Sequence, residues 1–453
     1  MTSRQYKISR RTLLAGSAAA ALAGSRAAGR SNAIAPTDRL NVAVVGAGGR
    51  GADDLHELEP TGVRIAALCD CDHRRAAASL RRYPDAKVYT DWRRMFEVEK
   101  GIDAVLVATP DHNHAIVSIH AMNLGKHVYC EKPLAHSIFE ARQMAQVAAQ
   151  TRLATQMGTQ GHAFEGTRRA VEVVRAGAIG QVRELHVWTN RPKGWWPQGI
   201  NRPTESAQVP AGLDWDVWLG PAPYRPYNPA YVPFKWRGWW DFGTGAIGDM
   251  GVHNLDTAFW ALELTQPTSV RIKDCSPALT DPSAKETLPV WSILELHFPA
   301  RADKPPVKMT WYDGGKLPPA NLFHGEPVPN QDGGSLMIGS VGALLTRTWH
   351  GGQSDADMFV LLPREKFKDY QFPPPTLPRV KSHHHEWVSA CRGEGHTLSN
   401  FGYASVLTES LLLGNLALRL GKDIEWDAAS MRATNAPEAD RYIRPEFRAG
   451  WSL

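Results

Sequence analysis

The run from Leu40 to Asp70 constrains this chain more than any other. Leu40, Val42, Val44 and Val45 form a short apolar run rich in β-branched residues, which ends in Gly46-Ala47-Gly48-Gly49-Arg50-Gly51. Helix-like spacing continues through Leu58, and a second apolar run, residues 63–68, ends at Cys69-Asp70. Strand, glycine turn, helix and strand make a βαβ unit with a dinucleotide fingerprint. Gly46 permits a sharp turn, Gly48 lets the backbone approach a pyrophosphate, and Gly51 lets the helix pack close to the strand; Gly49 and Arg50 complete the loop. The helix amino terminus then offers free N–H groups and a partial positive charge to the phosphates. Asp70 stands 19 residues past Gly51, where an acid can hydrogen-bond the adenosine ribose hydroxyls and repel a 2′-phosphate. NAD is therefore expected over NADP, with Arg74 and Arg75 leaving NADP open. A tight turn in an unrelated α/β fold explains the glycines alone, but not the glycines together with both strands, the helix and the acid.

Net charge is informative only after the chain is divided. The 453 residues carry +5, but the first 36 hold Arg4, Lys7, Arg10, Arg11, Arg26 and Arg30 and no acid, leaving the remainder at −1. That balance gives no support to nucleic-acid or membrane-surface binding. Ser9-Arg10-Arg11-Thr12-Leu13-Leu14, followed by a run rich in Ala and Gly, resembles a twin-arginine export signal. Leu stands in place of the usual Phe and no Lys follows, so a basic, disordered tail is the alternative. On the signal reading the protein is periplasmic or otherwise exported, the twin-arginine machinery is a partner, and a cofactor can be loaded before export. After this segment no run is long and apolar enough to suggest a membrane span. Cys69, Cys71, Cys130, Cys275 and Cys391 lack metal-finger spacing and read as small buried residues.

Strand and helix patterns alternate through about residue 156, predicting a doubly wound parallel sheet with ligands at the carboxyl ends of its strands. Two loops fall at such ends: Thr109-Pro110-Asp111-His112-Asn113-His114, before a helix over 115–124, and Glu131-Lys132-Pro133. Beyond that the texture changes. An alternating strand at 182–189 leads to an irregular stretch, 190–242, crowded with Trp, Pro and Gly, then to a helix over about 246–263. Strand-like runs follow with little helix between them, predicting an α+β domain with an open, mostly antiparallel sheet. The expected division is a signal and linker over 1–36, a Rossmann domain over 37–156, and a substrate and oligomerisation domain over 157–453, whose last helices pack back on the first domain.

Asp249 and His253 are four apart, so a helix puts them on one face. A carboxylate there can fix the imidazole tautomer and stabilise the imidazolium. His253 is thus a candidate general base with a pKa near working pH, with Asp256 on nearly the same face. An ordinary helix pair remote from any substrate is the plainer explanation of the spacing. His112, His114 and the triple His383-His384-His385 lack convincing ligand spacing, and no metal is expected. Nine of the 16 tryptophans fall between Trp188 and Trp260. Rings such as Trp195, Trp196, Trp236, Trp239 and Trp240 suit the C–H faces of sugars, or else they hold a long loop together. Arg191, Lys193, Arg202 and Arg237 could read hydroxyls or a carboxylate.

The glycine motif, Thr109-Pro110 through His114, Glu131-Lys132-Pro133 and Asp249-Met250-Gly251-Val252-His253 together resemble the Gfo/Idh/MocA family of glucose–fructose oxidoreductase, inositol dehydrogenase and their relatives. The Trp239-Trp240-Asp241 loop looks like an exported bacterial branch of it. The resemblance implies an N-terminal NAD(P) domain, a C-terminal domain with an open sheet, no metal, and NAD(P)-dependent oxidoreduction at a hydroxyl of a sugar, cyclitol or sugar derivative. It implies Lys132 beside the nicotinamide and the reacting hydroxyl, with His253 and Asp249 completing the catalytic set. Glu131 is implied at the nicotinamide-side ribose, with Thr109, Pro110 and His114 at the cofactor cleft. Trp239, Trp240, Arg237, Gln160 and Asp256 are the expected substrate contacts, and a homodimer or homotetramer through the open sheet is expected. No soluble nicotinamide pool is expected outside the cytoplasm, so the cofactor is expected to stay tightly bound. Redox-neutral glycoside cleavage or epimerisation through a transient keto-sugar remains open, as does non-catalytic sugar binding, against which the intact glycines, Lys132 and His253 argue.

Overall fold

The computed structural model describes residues 39–276, 286–330, 332–348 and 358–453; the twin-arginine-like segment lies outside them. Strands β1 (Asn41–Val45), β2 (Arg64–Cys69), β3 (Lys87–Tyr89), β4 (Ala104–Val107), β5 (His127–Glu131) and β6 (Thr155–Gly158) form a sheet in the order β3-β2-β1-β4-β5-β6. Every pairing in it is parallel. All four residues of β4 are buried, which is why its sequence is an unbroken apolar run. Strand order reverses beside β1, so the turns after β1 and β4 open at one crevice. β6 carries this sheet two residues past the expected boundary at 156. Gly51 is required by its neighbour: a Cβ there would lie 1.8 Å from the Gly46 carbonyl oxygen.

The helix expected at 115–124 begins earlier, at Asp111, and runs Asp111–Asn123 with Pro110 at its N-cap. Asp111, His112 and His114 therefore belong to its first turns rather than to a loop, and Asp111 complements the helix dipole. The helix expected over 246–263 is two, Gly245–Asn254 and Asp256–Leu262.

The second sheet comprises β7 (Val182–Trp188), β8 (Ser269–Cys275), β9 (Ser292–Phe298), β10 (Val307–Tyr312), β11 (Gly334–Gly339), β12 (Ala343–Arg347), β13 (Phe359–Leu362), β14 (Ile424–Asp427) and β15 (Arg432–Ala433). Its order is β13-β12-β11-β7-β10-β9-β8-β14-β15. β7 and β10 run parallel, and the other pairings are antiparallel. β9 alternates buried and half-buried residues, the signature of a sheet with one face packed.

Helix Phe401–Leu420 fills the space between sheet and helices. Gly414 brings it against Ile247 and Leu294, and Gly251 faces Leu411. By length and composition this helix could cross a membrane, unlike anything expected from the sequence, but 83% of its most apolar window is buried in the protein. Core side chains such as Leu407, Leu411 and Leu413 each contribute roughly 1.5–3 kcal/mol by burial. Helix His383–Cys391 returns to the first domain: Trp387, Val388 and Cys391 join the cluster containing Leu40, Val42, Leu55 and Leu58.

Candidate active site

A cavity of about 420 Å³ is lined by Gly46, Gly48, Gly49, Arg50 and Asp70 from the glycine turn and strand β2, and by Lys132, Gln160, Arg237, Asp249 and His253 from the other motifs. Thr109, Pro110 and Glu131 line it too. The glycine end fits a dinucleotide: Gly46 has φ +88°, and the helix starting at Arg50 has no side-chain cap; the Gly51 and Ala52 N–H groups close onto the Gly48 and Gly49 carbonyls, and the positive end of the helix dipole faces the phosphate position. Asp70 accepts hydrogen bonds from the Gly48 N–H at 2.9 Å and the Asp72 N–H at 2.8 Å, tying the end of β2 to the glycine turn. Arg74 is held by Asp72 at 2.6 Å. Arg50 folds onto Asp54 at 2.6 Å and Glu131 at 3.2 Å, and Gln160 donates to Glu131 at 2.6 Å.

At the other end three cations converge on one acid. Asp249 Oδ1 accepts from Lys132 Nζ at 2.7 Å and from Arg237 Nε at 3.2 Å, while Oδ2 accepts from Arg191 Nη1 at 2.8 Å. Burial alone would raise the Asp249 carboxyl, but Lys132, Arg237 and Arg191 hold it far below the usual carboxylate range. The carboxylate expected to serve His253 is thus engaged by three cations. Burial, with Lys132 beside it, pushes His253 well below 6.5, and Asp249 opposes only in part. That direction runs against the expectation of a pKa near working pH and favours the neutral imidazole. Aromatic rings brace the guanidinium groups. Arg191 lies 3.8 Å from the Trp195 ring centroid, and Arg237 lies 4.0 Å from Phe234 and 4.2 Å from Trp236.

Several expected site residues lie elsewhere. Trp239 is fully buried among Tyr231, Trp215 and Phe242, its Nε1 donating to the Ala230 carbonyl. Trp240 is buried in the main core against Arg419. Neither lines the cavity; Trp195 and Trp236 do. The irregular stretch builds a small core of its own, and burial of large rings outweighs exposing them to a ligand. Asp256 is also outside the cavity, bonded to His162 and Tyr403. His114 stands behind the wall, its Nδ1 2.7 Å from the Pro133 carbonyl and its Nε2 2.8 Å from the Thr109 carbonyl. Carbonyls only accept, so these contacts favour the protonated ring. Burial opposes that charge, yet Cys130, Asp111 and the Pro133 carbonyl raise its pKa to about 10. It joins the two turns that carry Thr109 and Lys132. Sequence reading gave Arg191 no definite place and missed Phe234; the signal for Arg191 is its position just past the end of β7, at the mouth of a sheet.

His383 and His384 are buried against the first domain. His383 lies 3.1 Å from the Tyr129 hydroxyl; His384 pairs with Glu57 at 2.9 Å and Asp54 at 3.4 Å. Asp54, Glu57 and His384 present ligand atoms within 4.8 Å of one another, a grouping not visible in sequence, and the Arg50 guanidinium already occupies it, 2.6 Å from Asp54 and 3.3 Å from Glu57. Burial disfavours charge on His384, but Asp54 and Glu57 raise it to about 9. A group raised in the folded state stabilises fully below its unfolded value, about 6.5, and loses that stabilisation as pH rises through the folded value. Stability is therefore expected to fall between pH 6.5 and 9 by about 2–3 kcal/mol through this residue. Asp54, raised mainly by burial to about 6, acts in a lower window. Thermal denaturation of wild type and His384→Gln across that range checks this: the wild-type decline should be much reduced in the variant.

Two family models match. The description "Oxidoreductase family, NAD-binding Rossmann fold" fits residues 40–159, and "Oxidoreductase family, C-terminal alpha/beta domain" fits residues 167–292, both of the Gfo/Idh/MocA group. Inositol 2-dehydrogenase from Salmonella typhimurium is 30% identical over 151 residues, covering 32% of this chain and 45% of that protein. Inositol 2-dehydrogenase from Rubrobacter xylanophilus is 35% identical over 149 residues, covering 32% and 42%. The match thus spans less than half the length of these relatives. Among solved structures, the WlbA dehydrogenase from Bordetella pertussis, in complex with NADH and UDP-GlcNAcA, superposes with a TM-score of 0.59 at 15% identity, covering 86% of this chain and 99% of that one. Aldose-aldose oxidoreductase from Caulobacter crescentus, complexed with glycerol, gives 0.54 at 18% identity, covering 86% and 100%. With the glycine turn, the parallel sheet and both family models in agreement, the chain belongs to the Gfo/Idh/MocA oxidoreductase family and carries an NAD-binding Rossmann domain.

Proposed function

We propose that the protein oxidises a hydroxyl of a sugar, cyclitol or sugar derivative with a tightly held NAD, in the compartment reached by twin-arginine export. The observation that carries this is the placement of Lys132 and His253 on one cavity that also holds the glycine turn. NAD⁺ supplies the hydride acceptor when bound. The glycine turn and helix amino terminus bind its phosphates, and Asp70 and Glu131 orient the two riboses. Lys132 hydrogen-bonds the substrate oxygen and stabilises the alkoxide as it forms. Asp249 holds and aims the ammonium. The neutral His253 imidazole accepts the hydroxyl proton. Arg237 and Gln160 contact the remaining substrate hydroxyls. A homodimer or homotetramer through the second sheet fits this reading.

Denaturing the purified mature protein and assaying the extract tests cofactor retention: a nicotinamide nucleotide near one equivalent is expected, and none would contradict the tight-binding reading. A panel of sugars and cyclitols, followed at the nicotinamide absorbance, then identifies the substrate class. A nitrophenyl glycoside split without net NADH would favour the redox-neutral use of the same residues instead.

A further inference from the structure

A second cavity, of about 20 Å³, backs onto the first, and His253 lines both. His162, Asp256, Thr159 and Thr167 also line it. The volume suits one water molecule. His162 is fully buried, and its Nε2 has no hydrogen-bond partner in the protein. Its Nδ1 lies 2.8 Å from Asp256 Oδ2, and Asp256 Oδ1 accepts from the Tyr403 hydroxyl at 2.6 Å. The ring stacks on Trp260 at 3.9 Å. A fully buried imidazole nitrogen without a partner is costly unless water satisfies it.

The geometry points to a proton relay: a water in this cavity joins His253 to His162, and the Asp256–His162 pair receives the proton that His253 takes from the substrate. The inference rests on the dehydrogenase reading and deepens it. With the Asp256 carboxylate accepting from Nδ1–H, the lone pair is on the buried, unpartnered His162 Nε2. As the substrate C–H bond breaks, the hydride goes to bound NAD⁺ and the O–H proton goes to His253. That imidazolium protonates the water, which gives up another proton to His162 Nε2. The resulting imidazolium is paired with Asp256, so His253 returns to its neutral form. Protonation of His253 is disfavoured by burial and Lys132, which drives the proton onward. The groups around His162 are Asp256 at Nδ1, Tyr403 bonded to Asp256 with its ring 5.2 Å from the imidazole, Trp260 on its ring, Arg168 at its carbonyl, His383 within electrostatic reach, and Arg347 and His253 around the cavity.

His162→Gln keeps a donor for Asp256 and removes the base; Asp256→Asn keeps the shape and removes the counter-charge, and is read in the same way where the first variant folds poorly. In single turnovers of the holoenzyme, hydride transfer is expected to slow on the order of 10²-fold, with substrate KM within twofold. The D2O isotope effect should rise and the effect of deuterium at the reacting carbon should fall, because proton transfer becomes limiting; lost packing would not invert those two. A high-resolution crystal structure should show one ordered water bonded to His162 Nε2. Wild-type rates and isotope effects in both folded variants, or a dry cavity, would overturn the relay alone. A wild-type protein that reduces no bound NAD with any alcohol would overturn the dehydrogenase reading, and the relay with it.

Discussion

Replacing Lys132 with alanine is expected to lower kcat/KM for NAD reduction by about 10²–10³-fold, the scale on which one charge-stabilising donor acts at a developing oxyanion. The ammonium bonds both the carboxylate and the main-chain oxygen of Asp249, which leaves a third N–H for a substrate oxygen. Its removal should spare the fold, because Asp249 keeps Arg191 and Arg237 as partners. Cofactor content and thermal midpoint of Lys132→Ala should therefore stay close to wild type while turnover collapses. Turnover within tenfold of wild type would remove Lys132 from the chemistry.

The reverse substitution should behave oppositely. In Asp249→Ala, Lys132, Arg191 and Arg237 lose their shared anion in a site where their side chains are only 14%, 9% and 17% exposed. Arg191 retains Asp332 at 3.2 Å, and among the described residues the other two cations are left without a carboxylate. Breaking a buried ion pair from one side costs about 3–5 kcal/mol, and here one acid serves three partners. The expected result is an unfolding free energy, read from denaturant titration, lowered by that amount, with activity lost even at temperatures where the variant stays folded. A loss below about 1 kcal/mol, the scale of exposed pairs, would mean that water enters the site and screens the three charges.

Much of this was legible in sequence because local rules decide it. β4 is apolar because it is buried on both faces, β9 alternates because one face is packed, and Gly51 is required by Gly46 within the same turn, although Gly46 and Gly48 themselves answer to the more distant Ala108 and Arg75 backbones. The site was legible where a motif keeps its residues together. It was not legible where partners are far apart in the chain. Asp249 faces His253 in any helical reading, yet its partners Lys132 and Arg191 come from 117 and 58 residues away. Asp256, expected on that face, opens the next helix, and its oxygens belong to His162, 94 residues distant, and Tyr403, 147 residues distant. Trp239 and Trp240 sit beside the motif and suggest sugar stacking; the rings that bury Trp239 come from across the irregular stretch. The early start of helix Asp111–Asn123 was hidden because Pro110 reads equally as a turn or as an N-cap.

The most direct test is a crystal structure of the protein with NADH. The account requires the pyrophosphate at the amino terminus of helix Arg50–Leu58, the adenosine ribose at Asp70, and nicotinamide C4 in the cavity between Lys132 and His253. A cofactor bound with its nicotinamide at the Asp70 end, or with its reactive carbon turned away from Lys132 and His253, would contradict it.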